Sequence, residues 1–199
     1  MQQLCEVPCV ILAGGKSSRM GEDKALLPFG GFETLSEYLH VKMSRIFSEV
    51  YISTKSKDKF DFQANFIEDL RISEDSAPTV ALLSCCEYLK SDSLFVISVD
   101  TPFVTKETIL KLINSSDGYD ITVASTCSGM QPMCGVYSTK LKETFQKMVE
   151  DKNHRLGKLI KNSNSKLITC ESEDEFMNLN YKDEYNKAVR IADESNTFR

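Results

Sequence analysis

The sequence predicts a single α/β domain: a doubly wound, mostly parallel sheet held between two layers of helices. Three observations predict it. Short apolar runs alternate with helical stretches up to about residue 115, in the order β-α-β-(α)-β-α-β-α, the pattern of parallel strands joined by crossovers. The run Leu94-Phe95-Val96-Ile97-Ser98-Val99 is near-continuously apolar, as a central strand covered on both faces must be. Glycines and carboxylates stand directly after the apolar runs, at the strand ends where open α/β sheets take ligands.

The first strand is Val7-Pro8-Cys9-Val10-Ile11-Leu12, and it opens into Ala13-Gly14-Gly15-Lys16-Ser17-Ser18-Arg19-Met20-Gly21-Glu22-Asp23-Lys24. A strand feeding a glycine-rich loop brings bare backbone N–H groups up to phosphates. Gly14, Gly15 and Gly21 leave room for a ligand, Ser17 and Ser18 add hydroxyl donors, and Lys16, Arg19 and Lys24 add positive charge. A Walker A loop does not fit, because Val10 stands where its first glycine belongs. The G-x-G-x-x-G dinucleotide fingerprint does not fit Gly14-Gly15 with Gly21 either. An incidental Gly-Ser surface turn would leave the cations and the feeding strand unexplained.

Ala25-Leu26-Leu27-Pro28-Phe29 reads as a short extended segment that Pro28 and Gly30-Gly31 turn. Thr34, with Glu37 in capping-box spacing, starts a helix whose buried face is Leu35, Tyr38, Leu39, Met43, Ile46 and Phe47. Val50-Tyr51-Ile52-Ser53 is the second strand, and Asn65-Phe66-Ile67-Glu68, ending at Asp69, the third. After a loop over 70–77, Pro78 opens a helix to about Lys90. The fourth strand ends at Asp100-Thr101-Pro102-Phe103, and Thr105 caps the next helix. Ser53, Asp69 and Asp100 therefore gather with the glycine loop at one edge of the sheet. Asp100 has two readings there: a cap for the following turn, or a hard oxygen ligand for Mg²⁺ shared with phosphates. Beside the glycine loop the metal reading has the greater weight.

The second half changes character. Ile121–Ala124 and Met133–Tyr137 are strands joined through 128–132, and Thr139 starts a helix to about Glu150. A short helix or turn over 154–160, a strand over 166–169 and a terminal helix from Tyr181 to Ala192 follow, with polar, fraying residues from about Asp193.

Composition bounds the function. With 41% apolar and 27% charged residues in 199, the chain suits one soluble domain with a single large core. A formal net charge of −5 argues against a general nucleic-acid binder, so the cations of the loop are a local exception. No apolar run approaches the roughly 20 residues of a membrane span. The start, Met1-Gln2-Gln3-Leu4-Cys5-Glu6, lacks the features of a signal peptide, and the expectation is a cytoplasmic protein. Seven cysteines without C-x-x-C spacing read as reduced, mostly core thiols rather than disulfides or a zinc site.

On the glycine loop the chain resembles nucleotidyltransferases with the Rossmann-like, GT-A-like fold of nucleotide-diphospho-sugar transferases. Residues 12–24 are most similar to the pattern L-A-G-G-x-S-x-R-M-G-x-D-K of the molybdenum cofactor guanylyltransferases, the MobA family. The related molybdopterin cytidylyltransferases usually read L-A-A-G, and this chain has Gly14. Asp100-Thr101-Pro102-Phe103 matches the family's D-x-P-F/Y, and Gln131-Pro132-Met133-Cys134-Gly135-Val136-Tyr137 resembles Q-P-L-x-G-[LV]-Y. Asn178-Leu179-Asn180 resembles the start of N-[IVL]-N-T-P-E-[DE], although Tyr181-Lys182 replaces Thr-Pro. Two further departures are Ser53, where bacterial members often carry Asn, and 76–82, where only Pro78 and Ala81 match a G-P-L-A-G-type stretch.

The resemblance implies an enzyme that transfers GMP from GTP to the terminal phosphate of molybdopterin (Mo-molybdopterin), releasing pyrophosphate. It implies nucleotide contacts at Leu12, Ala13, Gly14, Gly15, Ser17, Ser18, Gly21, Lys24, Ser53 and Asp69, with the base against Leu12, Ala13 and Asp69. It implies Mg²⁺ on Asp100, and charge stabilisation by Lys24 and Arg19. Asn178 or Asn180 would reach the metal or the pterin phosphate, or else simply turn the chain into its last helix. Arg155 and Lys158 would meet pterin anions or form a solvated face. Residues up to about 115 would form the nucleotide half and about 116–192 the acceptor half. A molybdenum-insertion protein upstream and molybdoenzyme chaperones downstream are the implied protein partners.

Rival readings are a cytidylyltransferase or sugar-1-phosphate nucleotidyltransferase of the same fold, separated by product identity, and a non-enzymatic nucleotide-binding module, which would release no pyrophosphate. A glycosyltransferase would carry D-x-D, whereas Ser98-Val99 and Thr101-Pro102 flank Asp100.

Overall fold

The computed structural model describes residues 3–15, 21–72 and 77–197, with side chains as far as 194. Among those residues seven strands form one sheet: β1 (Cys9–Leu12), β2 (Val50–Thr54), β3 (Asn65–Glu68), β4 (Ser93–Ser98), β5 (Ile121–Thr126), β6 (Gly129–Ser138) and β7 (Ser165–Thr169). Their order is β3-β2-β1-β4-β6-β5-β7. β1 to β4 are mutually parallel, β6 runs antiparallel to β4 and β5, and β7 is parallel to β5. Among the described residues six α-helices cover the sheet: α1 (Leu35–Ser44), α2 (Pro78–Tyr88), α3 (Lys106–Asn114), α4 (Lys142–Glu150), α5 (Leu156–Asn162) and α6 (Lys182–Thr197).

The two-residue period of a strand divides the core into two layers. From β1, Cys9 and Ile11, followed by Ala13, face the side of Leu35, Leu39 and Met43 of α1, Ile109 and Leu112 of α3 and Ala188 of α6. Val10 and Leu12 face the opposite side, with Val80 to Leu83 of α2, Phe145 of α4 and Leu159 of α5. β4 divides likewise, Phe95 and Ile97 to the first layer and Leu94 and Val96 to the second. In α2, Thr79 through Cys86 are all buried, because the helix is sandwiched between the sheet and α4.

Local chemistry sets the ends of the elements. Thr34 Oγ1 accepts from Glu37 N–H at 3.0 Å and Thr105 Oγ1 from Thr108 N–H at 3.2 Å, capping α1 and α3. Pro78 occupies the first turn of α2, where a missing N–H costs nothing.

Several boundaries differ from the sequence expectation. Residues 25–29 are not extended throughout: Lys24–Leu26 is a short 3-10 helix, because Asp23 Oδ1 accepts the Ala25 N–H at 3.1 Å and caps it. Phe29 and Phe32 then pair across a tight turn, with Gly30 and Gly31 at φ +57° and +84°. β6 begins at Gly129, so the turn between β5 and β6 is shorter than 128–132. The register shifts between Val123 and Ala124, opposite Gly135, where an added Cβ would lie 2.2 Å from Thr122 O. Thr139–Leu141 is a 3-10 turn leading into α4. α2 ends at Tyr88, and α6 continues past Ala192 to Thr197.

Candidate active site

Parallel strands deliver their carboxyl ends to one edge, and here the ends of β1, β3 and β4 border a cavity of about 290 Å³. Its wall is Leu12, Ala13, Gly14 and Gly15 after β1, Asp69 after β3, and Ser98, Val99 and Asp100 at the end of β4. Asp23, Lys24 and Ala25 close one side, Ala77, Pro78 and Ala81 another, and Met133 of β6 completes the wall. Met133 reaches it because Cys134 pairs with Ile97 near the end of β4.

Lys24 and Asp100 form the charged centre. Lys24 Nζ lies 2.7 Å from Asp100 Oδ2, 3.0 Å from Asn180 Oδ1 and 3.4 Å from Leu179 O. Three distant pieces of sequence thus meet at one ammonium. The stretch around Asn180 is also tied by backbone, Leu179 N–H donating to Asp100 O at 3.1 Å. The backbone N–H groups of Asn180 and Tyr181 both donate to Glu184 Oε2, at 2.8 and 2.9 Å, which fixes the entry to α6. Asp100 is only 7% exposed, and its Oδ1 is buried with no hydrogen-bond partner among the described residues. Leaving a buried carboxylate oxygen unpaired is costly, and Asp100 borders the cavity.

A second centre forms at Asp69. Ser53, fully buried at the end of β2, donates to Asp69 Oδ1 at 2.7 Å. Burial pushes the Asp69 carboxyl above its ordinary range, opposed by the Ser53 hydrogen bond and the charges of Lys55 and Lys59. A Cβ on Gly14 would stand 3.0 Å from Asp69 Oδ2, so the space beside Gly14 is filled by that carboxylate.

Of the residues expected from sequence, Leu12, Ala13, Gly14, Gly15, Lys24, Asp69 and Asp100 share the cavity wall. Ser53 stands behind Asp69, and Asn180 stands behind Lys24. Gly21 is exposed, with φ +74°, and is not part of the wall. Asn178 turns its side chain back onto Phe176 O at 3.3 Å. Lys16, Ser17, Ser18 and Arg19 lie outside the described residues. Sequence reasoning missed Asp23 and Lys59. Asp23 shows itself as a cap only through its hydrogen bond to the Ala25 N–H. The cations Lys55, Lys57 and Lys59 follow β2 at the ligand edge, which was the available signal.

Residues 9–167 match the model of the MobA-like NTP transferase domain. A protein of Campylobacter jejuni subsp. doylei named molybdenum cofactor guanylyltransferase is 39% identical over 93% of this chain and 96% of its own length. A protein of the same name from Helicobacter pylori is 30% identical over 93% of this chain and 92% of its own. Among solved structures, an Aquifex aeolicus protein is 31% identical, with a TM-score of 0.75 over 89% of this chain and 95% of the other. Molybdopterin-guanine dinucleotide biosynthesis protein A from Archaeoglobus fulgidus shares the fold at a TM-score of 0.80 and 17% identity, over 94% of this chain and 100% of the other. With the strand order, the glycine stretch after β1 and the carboxylate after β4 already in place, the chain belongs to the MobA-like NTP transferase family of nucleotidyltransferases.

Proposed function

We propose that this chain transfers GMP from GTP to the terminal phosphate of molybdopterin, releasing pyrophosphate and forming molybdopterin guanine dinucleotide. The observation that carries the reading is the Lys24–Asp100 pair in the wall of a cavity shared with Gly14, Gly15 and Asp69. A phosphate oxygen of the pterin attacks the α-phosphorus of GTP, the bond from that phosphorus to the bridging β-phosphate oxygen breaks, and the electron pair leaves on pyrophosphate. No covalent enzyme intermediate is required, so catalysis rests on positioning and charge.

The chain's residues divide that work. Gly15, beside open space, presents backbone without a side chain, which lets the nucleotide lie against the end of β1, and Gly14 leaves room for the Asp69 carboxylate. Lys24 is the described cation of the wall and meets negative charge on the phosphates. Asp69 is an acceptor when ionised, suited to the adjacent N1–H and N2–H donors of guanine, and Ser53 holds its orientation. The filled space at Gly14 supports guanine, since an Ala there would move the acceptor. Asn180 keeps Lys24 beside Asp100 and belongs to the acceptor side.

Asp100 fits a divalent cation, Mg²⁺ in this reading, because its buried Oδ1 is a hard oxygen donor lacking a partner among the described residues. When bound, the cation would neutralise phosphate charge together with Lys24. The relatives' name points to the same substrates.

The test is pyrophosphate release with purified protein, Mg²⁺ and molybdopterin, comparing GTP, CTP, ATP and UTP. Release with GTP alone, with the guanine dinucleotide as product, supports the reading. Release with CTP alone moves the protein to cytidylyl transfer, and silence with all four rules out molybdopterin as acceptor.

A further inference from the structure

One cation outside the cavity wall touches both sides of it. Lys59 ends the short 3-10 turn Lys57–Lys59 between β2 and β3. Its Nζ donates to Ala13 O at 3.1 Å and to Asp23 Oδ2 at 2.7 Å. Ala13 is the first residue past β1, and Asp23 immediately precedes Lys24. The two carboxylate oxygens of Asp23 are divided: Oδ2 takes the Lys59 ammonium, while Oδ1 takes the Ala25 N–H and caps the turn that carries Lys24. The connection Lys59–Asp23–Lys24–Asp100 therefore runs unbroken from the β2–β3 connection to the charged centre.

The ammonium is itself held. It sits 4.9 Å from the centroid of the Phe60 ring, a cation–π distance. Phe60 stacks on Phe66 of β3 at 5.3 Å and 19°, and meets Phe62 edge-on at 5.7 Å. The Phe60 N–H donates to Lys57 O at 3.0 Å and closes the turn. An isolated exposed ion pair contributes little because its long side chains must be immobilised. Here the aromatic stack and the closed turn have already restricted the lysine, and the carbonyl of Ala13 gives it a second acceptor.

We propose that Lys59 is a positioning residue for nucleotidyl transfer: it fixes Asp23 against the end of β1 and so sets the placement of Lys24. The inference rests on the proposed function for its kinetic consequence and on geometry alone for its structural one. Lys59 does not border the cavity, so its effect on turnover passes through Asp23 and Lys24. Its charge also reaches Asp69, where it opposes the effect of burial.

The test uses the full chain with Lys59→Met, Lys59→Arg and Asp23→Asn. In ligand-free protein, amide hydrogen exchange over 21–27 is expected to rise on the order of tenfold in Lys59→Met, with exchange in β4 unaltered. Turnover is expected to fall by up to about 10²-fold, the cost of misplacing a positioning group by about 1 Å. Lys59→Arg restores most of both. The double variant Lys59→Met/Asp23→Asn is no slower than the slower single one, because both break the same connection. Unaltered exchange over 21–27 in Lys59→Met, or raised exchange there with unaltered turnover, overturns the proposal. If Lys59→Met unfolds globally, seen as faster exchange in β4 too, Asp23→Asn decides, and unaltered exchange over 21–27 in that variant overturns it. Altered exchange in a chain that turns over CTP but not GTP upholds the positioning role and removes only the guanylyl reading.

Discussion

Lys24 has one ammonium for Asp100, Asn180 and the Leu179 carbonyl, and a nucleotide phosphate would compete with all three. Asp100 is equally divided, one oxygen on Lys24 and the other without a partner among the described residues. Lys24→Ala and Asp100→Asn are each expected to lower turnover by about 10²–10³, the usual effect of removing one electrostatic contact to a transition state. They separate on stability. Lys24→Ala leaves a buried carboxylate without its counter-charge, so its unfolding midpoint falls, and Mg²⁺ without nucleotide raises that midpoint more than it does in the unaltered chain. Thermal unfolding with and without the metal checks this. Equal Mg²⁺ responses would mean that the ammonium and the cation do not compete for Asp100. Gly14 gives a second expectation. Gly14→Ala pushes a Cβ to 3.0 Å from Asp69 Oδ2, so the GTP:CTP ratio of kcat/KM falls, by about tenfold if one hydrogen bond of about 1.4 kcal/mol is lost. An unchanged ratio would detach Asp69 from base selection.

Elements carry the site by their ends rather than their middles. The short helix Lys24–Leu26 exists because Asp23 caps it, and that cap aims Lys24. The apolar residues of 25–29 masked the cap, because an apolar run reads as a strand until a side-chain acceptor is known to claim the N–H two residues on. The β5–β6 pair shows the same limit. Its shifted register brings Thr122 O and Val123 Cα within 2.2 and 2.7 Å of where a Gly135 Cβ would stand. Gly135→Ala must move backbone, and it is expected to cost at least the upper end of the roughly 1–3 kcal/mol seen for overpacked cores. Urea unfolding measures it, and a cost below about 0.5 kcal/mol would mean the bulge relaxes freely. From sequence Gly135 was one letter of a family motif, and its steric reason needed the partner strand.

At the scale of the molecule, α1, the β4–α3 connection and the segment before Asn178 are joined through one lysine and one carboxylate. Lys42 donates to Pro102 O at 2.7 Å, and Glu175 accepts from Thr105 N–H and Oγ1–H at 3.0 and 2.9 Å. Burial lowers the Lys42 pKa to about 8 from 10.5, with Glu175 opposing the shift. Between those values the unfolded chain binds more protons than the folded one, so stability from this group rises with pH. The contribution is complete above the unfolded value of 10.5 and is lost as pH falls through about 8. Lys42→Met should therefore flatten the rise of the unfolding midpoint between pH 8 and 10 relative to the unaltered chain. Parallel profiles for the two proteins would contradict the shift.

The sheet's parallel half, the helix layers on its two faces and the edge that holds the candidate site were legible in the sequence, whereas the split of the single expected core into two clusters came from the structure. They follow from periodicity, from the covered run in β4 and from the rule that places ligands at strand ends, and each depends on neighbours in the chain. The glycine stretch, Asp69 and Asp100 were legible for the same reason. What only the tertiary structure decided is who meets whom. The β6 strand enters the sheet reversed between β4 and β5, Ser53 turns to Asp69 rather than to the cavity, and Lys59 reaches back to Ala13 and Asp23. Those outcomes depend on the distances between side chains far apart in sequence. Hydrogen bonds and ion pairs act over about 3 Å, so they are fixed only once packing has brought the strand ends together.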